Sequence, residues 1–161
     1  GTPRDIKLAG AWFSEAAKGG PPAALFAAGR MYDLGEGVPV NQQRAIAYYK
    51  EAALKSDASA ESALATYFYA GDQVPQNFVT ARKLFNDAAV QGHPDAMFNL
   101  AVMAARGEGG DKDLSMAFVW FSLANASGHP NAAAALAAIG PTLTAQDRSK
   151  ANAILKPPAK S

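Results

Sequence analysis

Residues 34–45 read LGEGVPVNQQRA, a glycine-valine-proline turn running into a stretch that opens on a helix-capping asparagine. Nearly the same phrase returns at 70–81 as AGDQVPQNFVTA and at 106–117 as RGEGGDKDLSMA. Gly35, Gly71 and Gly107 are one period apart (71 − 35 = 36 and 107 − 71 = 36), and Asn41, Asn77 and Asp113 keep that spacing. So do Ala45, Ala81 and Ala117; the pairs Tyr48-Tyr49, Leu84-Phe85 and Trp120-Phe121; and Ala52, Ala88 and Ala124. Ser56, Gly92 and Gly128 fall on it too, and projection one period back lands on Asp5, Ala9, Trp12-Phe13, Ala16 and Gly20, with no insertion or deletion. A fixed period of this length is the mark of stacked supersecondary units.

Each repeated residue has a physical task. A first helix, Pro22 to Leu34 for instance, should stop at Gly35, where a left-handed backbone is cheap only for glycine. Pro39 cannot continue a helix, and Val38 can tuck beneath the turn. Asn41 and its equivalents should cap a second helix by accepting from free first-turn amides. Ala45, Tyr48, Tyr49 and Ala52, at spacings of three and four, make one apolar stripe. Small residues at Gly29, Ala65, Ala101 and Ala137 should let paired helices approach closely. Neither helix buries its stripe alone, so the units must stack.

These residues carry a family resemblance. Gly29, Tyr32, Gly35, Gly37, Val38 and Asn41, followed by Ala45, the aromatic pair and Ala52-Ala53, resemble the Sel-one-like repeat (SLR) family, a longer-looped relative of the tetratricopeptide repeat. The resemblance covers essentially residues 3–140 and is best at Pro21 to Ser56 and His93 to Gly128. Gln73 stands where a second loop glycine is usual, and Gly110 where valine is usual, so those two loops are expected to differ in detail. The implied fold is all-α: a right-handed α–α superhelix of the TPR/SLR type, with about four two-helix repeats and a C-terminal capping helix. Its single domain would span residues 1–156, with units at 3–20 (partial), 21–56, 57–92, 93–128 and 129–140 (partial), a capping helix at 142–156, and a tail at 157–161.

At the ends, Gly1-Thr2 has the look of a cloning remnant, and the chain starts inside a repeat, as the C-terminal part of a longer protein would. HPNAAAALAAIG opens a fifth unit that Pro141 interrupts. In TLTAQDRSKANAIL, Thr144 is the expected N-cap, and Ala151, Ile154 and Leu155 the stripe that covers the last repeat.

Composition removes whole classes of function. Of the 161 residues, 15 are basic and 14 acidic, spread evenly, which argues against a nucleic-acid partner. No apolar run approaches the roughly 18 residues of a membrane span, so no direct membrane insertion is expected. With no cysteine there are no disulfides, thiolate zinc sites or cysteine nucleophiles. Some cysteine-rich SLR proteins have been linked to β-lactam hydrolysis, a comparison without a basis here. His93 and His129, each in a Gly-His-Pro turn one period apart, read as turn residues. Glu15, Glu51 and Asp87, at one repeat position, read as a solvated face. The glycine-rich turns lack the spacing of a phosphate loop. No catalytic residue, metal site or cofactor is expected, and no enzyme.

What remains is the concave groove, whose wall in such solenoids is made by first helices and binds extended segments or partner helices. Carried over by register from the tetratricopeptide relatives, its positions are Phe26, Arg30 and Asp33; Ser62, Thr66 and Tyr69; and Phe98, Val102 and Arg106. Phe26 and Phe98 have packing between repeats as their competing task. The resemblance implies a non-enzymatic scaffold or adaptor for a peptide or partner protein. It also implies membership of a larger bacterial envelope-associated, polar-organising or signalling protein, periplasmic in location, with the cytoplasm as the alternative. Carbohydrate or peptidoglycan binding, with Tyr69 stacking on sugar, is one rival. Self-association through the open N-terminal repeat face is the other.

Overall fold

The computed structural model describes residues 10–12, 15–157 and 159. Asp5, Ala9 and Phe13 of the projected first unit, and Pro158, Lys160 and Ser161 of the tail, lie outside them. The fold is an α–α solenoid, and among the described residues there is no strand. The chain forms two compact units, divided between Gln76 and Asn77.

The first unit holds α1 (Pro22–Leu34), α2 (Gln42–Leu54) and α3 (Ala58–Ala70). Gly35 and Gly71 end α1 and α3 in the left-handed conformation, at φ 74° and 71°. Asn41 caps α2 by accepting from the Arg44 amide at 3.0 Å, and Asp57 caps α3 by accepting from Ala60 at 2.8 Å. The α2 stripe is buried as its spacing requires: Ala45, Tyr48, Tyr49 and Ala52. Gly29 is what lets α1 meet it, since a Cβ there would stand 2.5 Å from the Tyr49 ring. Val38 is buried beneath the turn.

Ahead of α1, residues 10–12 and 15–17 are helical, but the projected register does not hold at the turn that follows. Gly19, not Gly20, takes positive φ (67°), and Ala17 rather than Ala16 is buried. With two successive glycines, the helix can end one residue early, closed by the Gly20 amide on the Ala17 carbonyl at 2.9 Å.

The second unit holds α4 (Phe78–Val90), α5 (Pro94–Arg106), α6 (Leu114–Ala126), α7 (Ala132–Ile139), a 3-10 turn (Gly140–Thr142) and α8 (Ala145–Leu155). Asn77 and Asp113 cap α4 and α6 through Thr80 and Met116, each at 3.0 Å, and Gly107 closes α5 at φ 69°. The core gathers Ala101, Ala104, Ala117, Phe121, Ile139 and Leu143. Burying such side chains contributes about 1.5–3 kcal/mol each for the larger ones.

Four expectations shift here. Trp120 is only half-buried, whereas its neighbour Phe121 fills the core, because the Trp120 ring lines an open recess beside Val79, Arg82 and Asn86. Ala137 is exposed, so the small-residue approach of Gly29, Ala65 and Ala101 is not repeated in the short α7. Thr144 caps α8 in a reciprocal capping box with Asp147, and Ala151 is buried, yet Ile154 is 54% exposed. Serine-to-carboxylate bonding takes part in docking the cap: Ser115 donates to Asp147 at 3.3 Å. Fourth, Gln73 keeps the left-handed turn conformation usual for glycine, at φ 59°.

Candidate functional site

The nine first-helix positions divide by what they already touch. On α1, Phe26 lies half-buried with its ring 5.7 Å from that of Tyr49. Asp33 accepts from the Tyr49 hydroxyl at 3.0 Å and also from the Tyr67 hydroxyl, tying α1 to α2 and α3. Burial first, and then the Asp33 hydrogen bond, hold both phenols above the ordinary tyrosine value. Asp33 and Phe26 are therefore joined in one packed cluster. Arg30, by contrast, is exposed, with its guanidinium 3.9 Å from the Glu36 carboxylate.

On α3, Ser62 is buried and its carbonyl accepts from the Thr66 hydroxyl at 3.0 Å, while Thr66 itself is exposed. Tyr69 is half-buried, and its carbonyl accepts from the Gln76 side chain at 2.9 Å. On α5, Phe98 sits edge-on to Phe121 at 5.3 Å and stacked on His129 at 4.3 Å. Val102 packs against the second unit's core, and Arg106 is exposed 3.8 Å from Glu108. Both arginine–glutamate contacts are long; the Arg30–Glu36 contact is also solvated on both sides and contributes little, whereas the Glu108 side chain is only 20% exposed.

The two histidines are turn residues with different tasks. His93 caps α5 by accepting from the Ala96 amide at 3.3 Å through Nδ1. His129 accepts from the Asn131 amide at 3.2 Å through Nδ1, places Nε2 3.3 Å from Asp95, and stacks on Phe98. Among the described residues no three His, Cys, Asp or Glu side chains gather in a metal-binding group, and no helix is long and apolar enough to cross a membrane. The acidic positions differ from a purely solvated face: Glu15 pairs with Lys18 at 2.7 Å, Asp87 with Lys83 at 2.6 Å, and Glu51 accepts from the Gly19 amide at 3.1 Å.

Sequence reasoning missed a recess beside the second helices in each unit. The first, of about 400 Å³, is floored by Tyr32 and Tyr48, stacked at 5.9 Å. Arg44 crosses it, 5.3 Å above the Tyr32 ring and donating to the Tyr32 hydroxyl at 3.0 Å. The second, of about 430 Å³, lies between α4 and α6, against Trp120, Met116, Val79 and Arg82. The signal was available in the register, where Ile46 is replaced one period on by Arg82.

Comparison with known proteins agrees with this architecture. The Sel1 repeat profile matches residues 1–21, 22–57, 58–93 and 94–129. No curated protein sequence matches the chain. Among solved structures, a Sel1 repeat protein from Oxalobacter formigenes is 31% identical, with 71% of this chain and 47% of that one covered, at a TM-score of 0.68. The protein c5321, a protective antigen of uropathogenic Escherichia coli strains with an SLR fold, is 28% identical over 92% of this chain and 34% of its own, at a TM-score of 0.80. The chain thus spans about half of the first relative and a third of the second. Helicobacter pylori cysteine rich protein B, 19% identical over 84% of this chain and 98% of its own, shares the fold at a TM-score of 0.65. The repeat period, the left-handed glycine ends, the capped second helices and the profile match across four successive units lead to one assignment: this chain belongs to the Sel1 repeat family.

Proposed function

We propose that this chain is a non-catalytic interaction module that holds an extended peptide segment of a partner protein on its first-helix faces. Sel1 repeats are helical scaffolds that generally mediate protein–protein interactions. The observation that carries the finer reading is the repeat position shared by Arg30, Thr66 and Val102. Phe26, Asp33, Ser62 and Phe98 beside it are taken up by packing, whereas Arg30 and Thr66 remain exposed and Val102 is only half-buried. Arg30, held by one long contact to Glu36, can exchange that contact for a bidentate bond to a partner's carboxylate. Phe26, Asp33 and Phe98 support the face from beneath rather than meeting the partner.

A pull-down from lysate, comparing wild type with an Arg30→Glu/Arg106→Glu variant of unchanged circular dichroism, tests the reading. A protein partner captured only by wild type supports it; equal capture by both sinks it.

The location proposed is a bacterial envelope, in the periplasm. Its support is the family resemblance and the bacterial origin of the three similar structures, one of them a protective antigen. Fractionation that finds the native protein in the cytosol overturns this part alone. Self-association is a second reading, favoured by Trp12, which is 77% exposed. Light scattering that gives a monomer mass at all concentrations removes it.

A further inference from the structure

Stacked repeats offer an internal control, because one position can be compared along the chain. A second-helix position and a loop position recur together as Gly10 with Val38, Ile46 with Val74, and Arg82 with Gly110. In the first pair, a Cβ on Gly10 would stand 2.7 Å from Val38 Cγ1, so the backbone and the valine are in close contact. Ile46 is buried. The third pair exchanges these apolar or small residues for a cation and an empty place.

The exchange is structurally complete. The Arg82 guanidinium donates through Nη1 to the Glu108 carbonyl at 3.2 Å, and through Nη1 and Nη2 to the Asp111 carbonyl at 3.3 Å each. A Cβ on Gly110 would fall 2.6 Å from Nη1, so a side chain there would displace the guanidinium. Carbonyls orient a cation but carry no formal charge to cancel it. Among the described residues no carboxylate lies within ion-pair distance of Arg82, whereas Lys83 is paired with Asp87 at 2.6 Å. Of five N–H donors, three contacts leave at least two for a ligand. A position that breaks its own repeat's rule is where function is expected.

Arg82 borders the recess of about 430 Å³, whose apolar wall is Trp120, Met116 and Leu100. Val79, 68% exposed, stands at its lip, and Asn86 lies at the other end. Val79 to Asn86 spans about 10 Å of helix, the reach of about three extended residues. A lone small carboxylate would occupy one end only. We propose that this recess binds an acidic peptide segment, with a carboxylate on Arg82 and an adjacent apolar side chain against Trp120 and Met116. The site lies between the second helices α4 and α6, with Leu100 of α5 behind it, and is separate from the Arg30, Thr66 and Val102 positions assigned above.

The test is selection of a phage-displayed random heptapeptide library on the intact protein, with enriched peptides then synthesised. Binding is read by the emission of Trp120 in a Trp12→Phe background, which leaves it the sole tryptophan. The expected peptides carry Asp or Glu beside an aromatic or aliphatic residue and bind Arg82→Gln at least ten-fold more weakly. Val79→Glu, which touches none of the loop carbonyls, should weaken the same peptides by charge repulsion. No enrichment, enrichment without acidic residues, or equal binding by both variants overturns the proposal. Loss of binding in Arg30→Glu but not in Arg82→Gln would move the site to the first-helix face and overturn it as well.

Discussion

The two units solve one packing problem with different chemistry. In the first, Phe26 of α1 packs on Tyr49 of α2, 5.7 Å between ring centres; in the second, two periods later, Phe98 packs on Phe121 at 5.3 Å. The tyrosine carries a hydroxyl into a nearly closed site, and α1 supplies Asp33 to receive it. At the matching position of α5 stands Ala105, because phenylalanine needs no acceptor. The repeats therefore vary by compensated sets: a polar atom enters a core only together with its partner.

That comparison would break first at Phe121. Phe121→Ala should cost about 3–5 kcal/mol in urea unfolding, and Trp120→Ala distinctly less because that ring is half-buried. Equal losses would mean the two adjacent rings had been assigned to the wrong faces. Next comes Gly109. Its φ is 70°, and a Cβ would collide with the Phe78 carbonyl oxygen, so Gly109→Ala should cost about 3 kcal/mol, strain and overpacking together. Gly92→Ala, at positive φ but in open space, should cost only about 1 kcal/mol. Unfolding midpoints that rank these two the other way would contradict the loop packing.

Asp33→Ala sharpens the difference between the units. It leaves the Tyr49 and Tyr67 hydroxyls without their acceptor, at about 1–3 kcal/mol. The alkaline limb gives a smaller effect of fixed sign. Burial, then Asp33, raise both phenols in the folded state, so the native protein keeps protons that the unfolded chain sheds. Their contribution is complete below the ordinary tyrosine value of about 10 and falls away above it. Tyr49→Phe should flatten the decline in melting temperature above that pH, and an unchanged slope would remove Tyr49 from the explanation.

Much of this was legible because it rests on local backbone chemistry. Gly35, Gly71 and Gly107 end their helices in the left-handed region, and Asn41, Asn77 and Asp113 cap the next, as types and spacing require. What escaped depends on rotation about a helix axis or on partners distant in sequence. Register alone could not say that Phe121 rather than Trp120 faces the core, or that Asp33 turns toward two tyrosines. Gln73 shows the limit of residue typing itself: it holds the left-handed turn, with its side-chain oxygen accepting from Gln43 at 2.9 Å. Ile154 failed for a related reason, since α8 is short and buries Ala151 instead.

The central claim is that the first helices receive the partner. Backbone hydrogen exchange, measured on the protein alone and with a captured partner peptide, tests it most directly. Added protection is expected in α1, α3 and α5, greatest around Arg30 and Thr66. Protection confined to α2, α4 and α6, with the first helices unchanged, would contradict it.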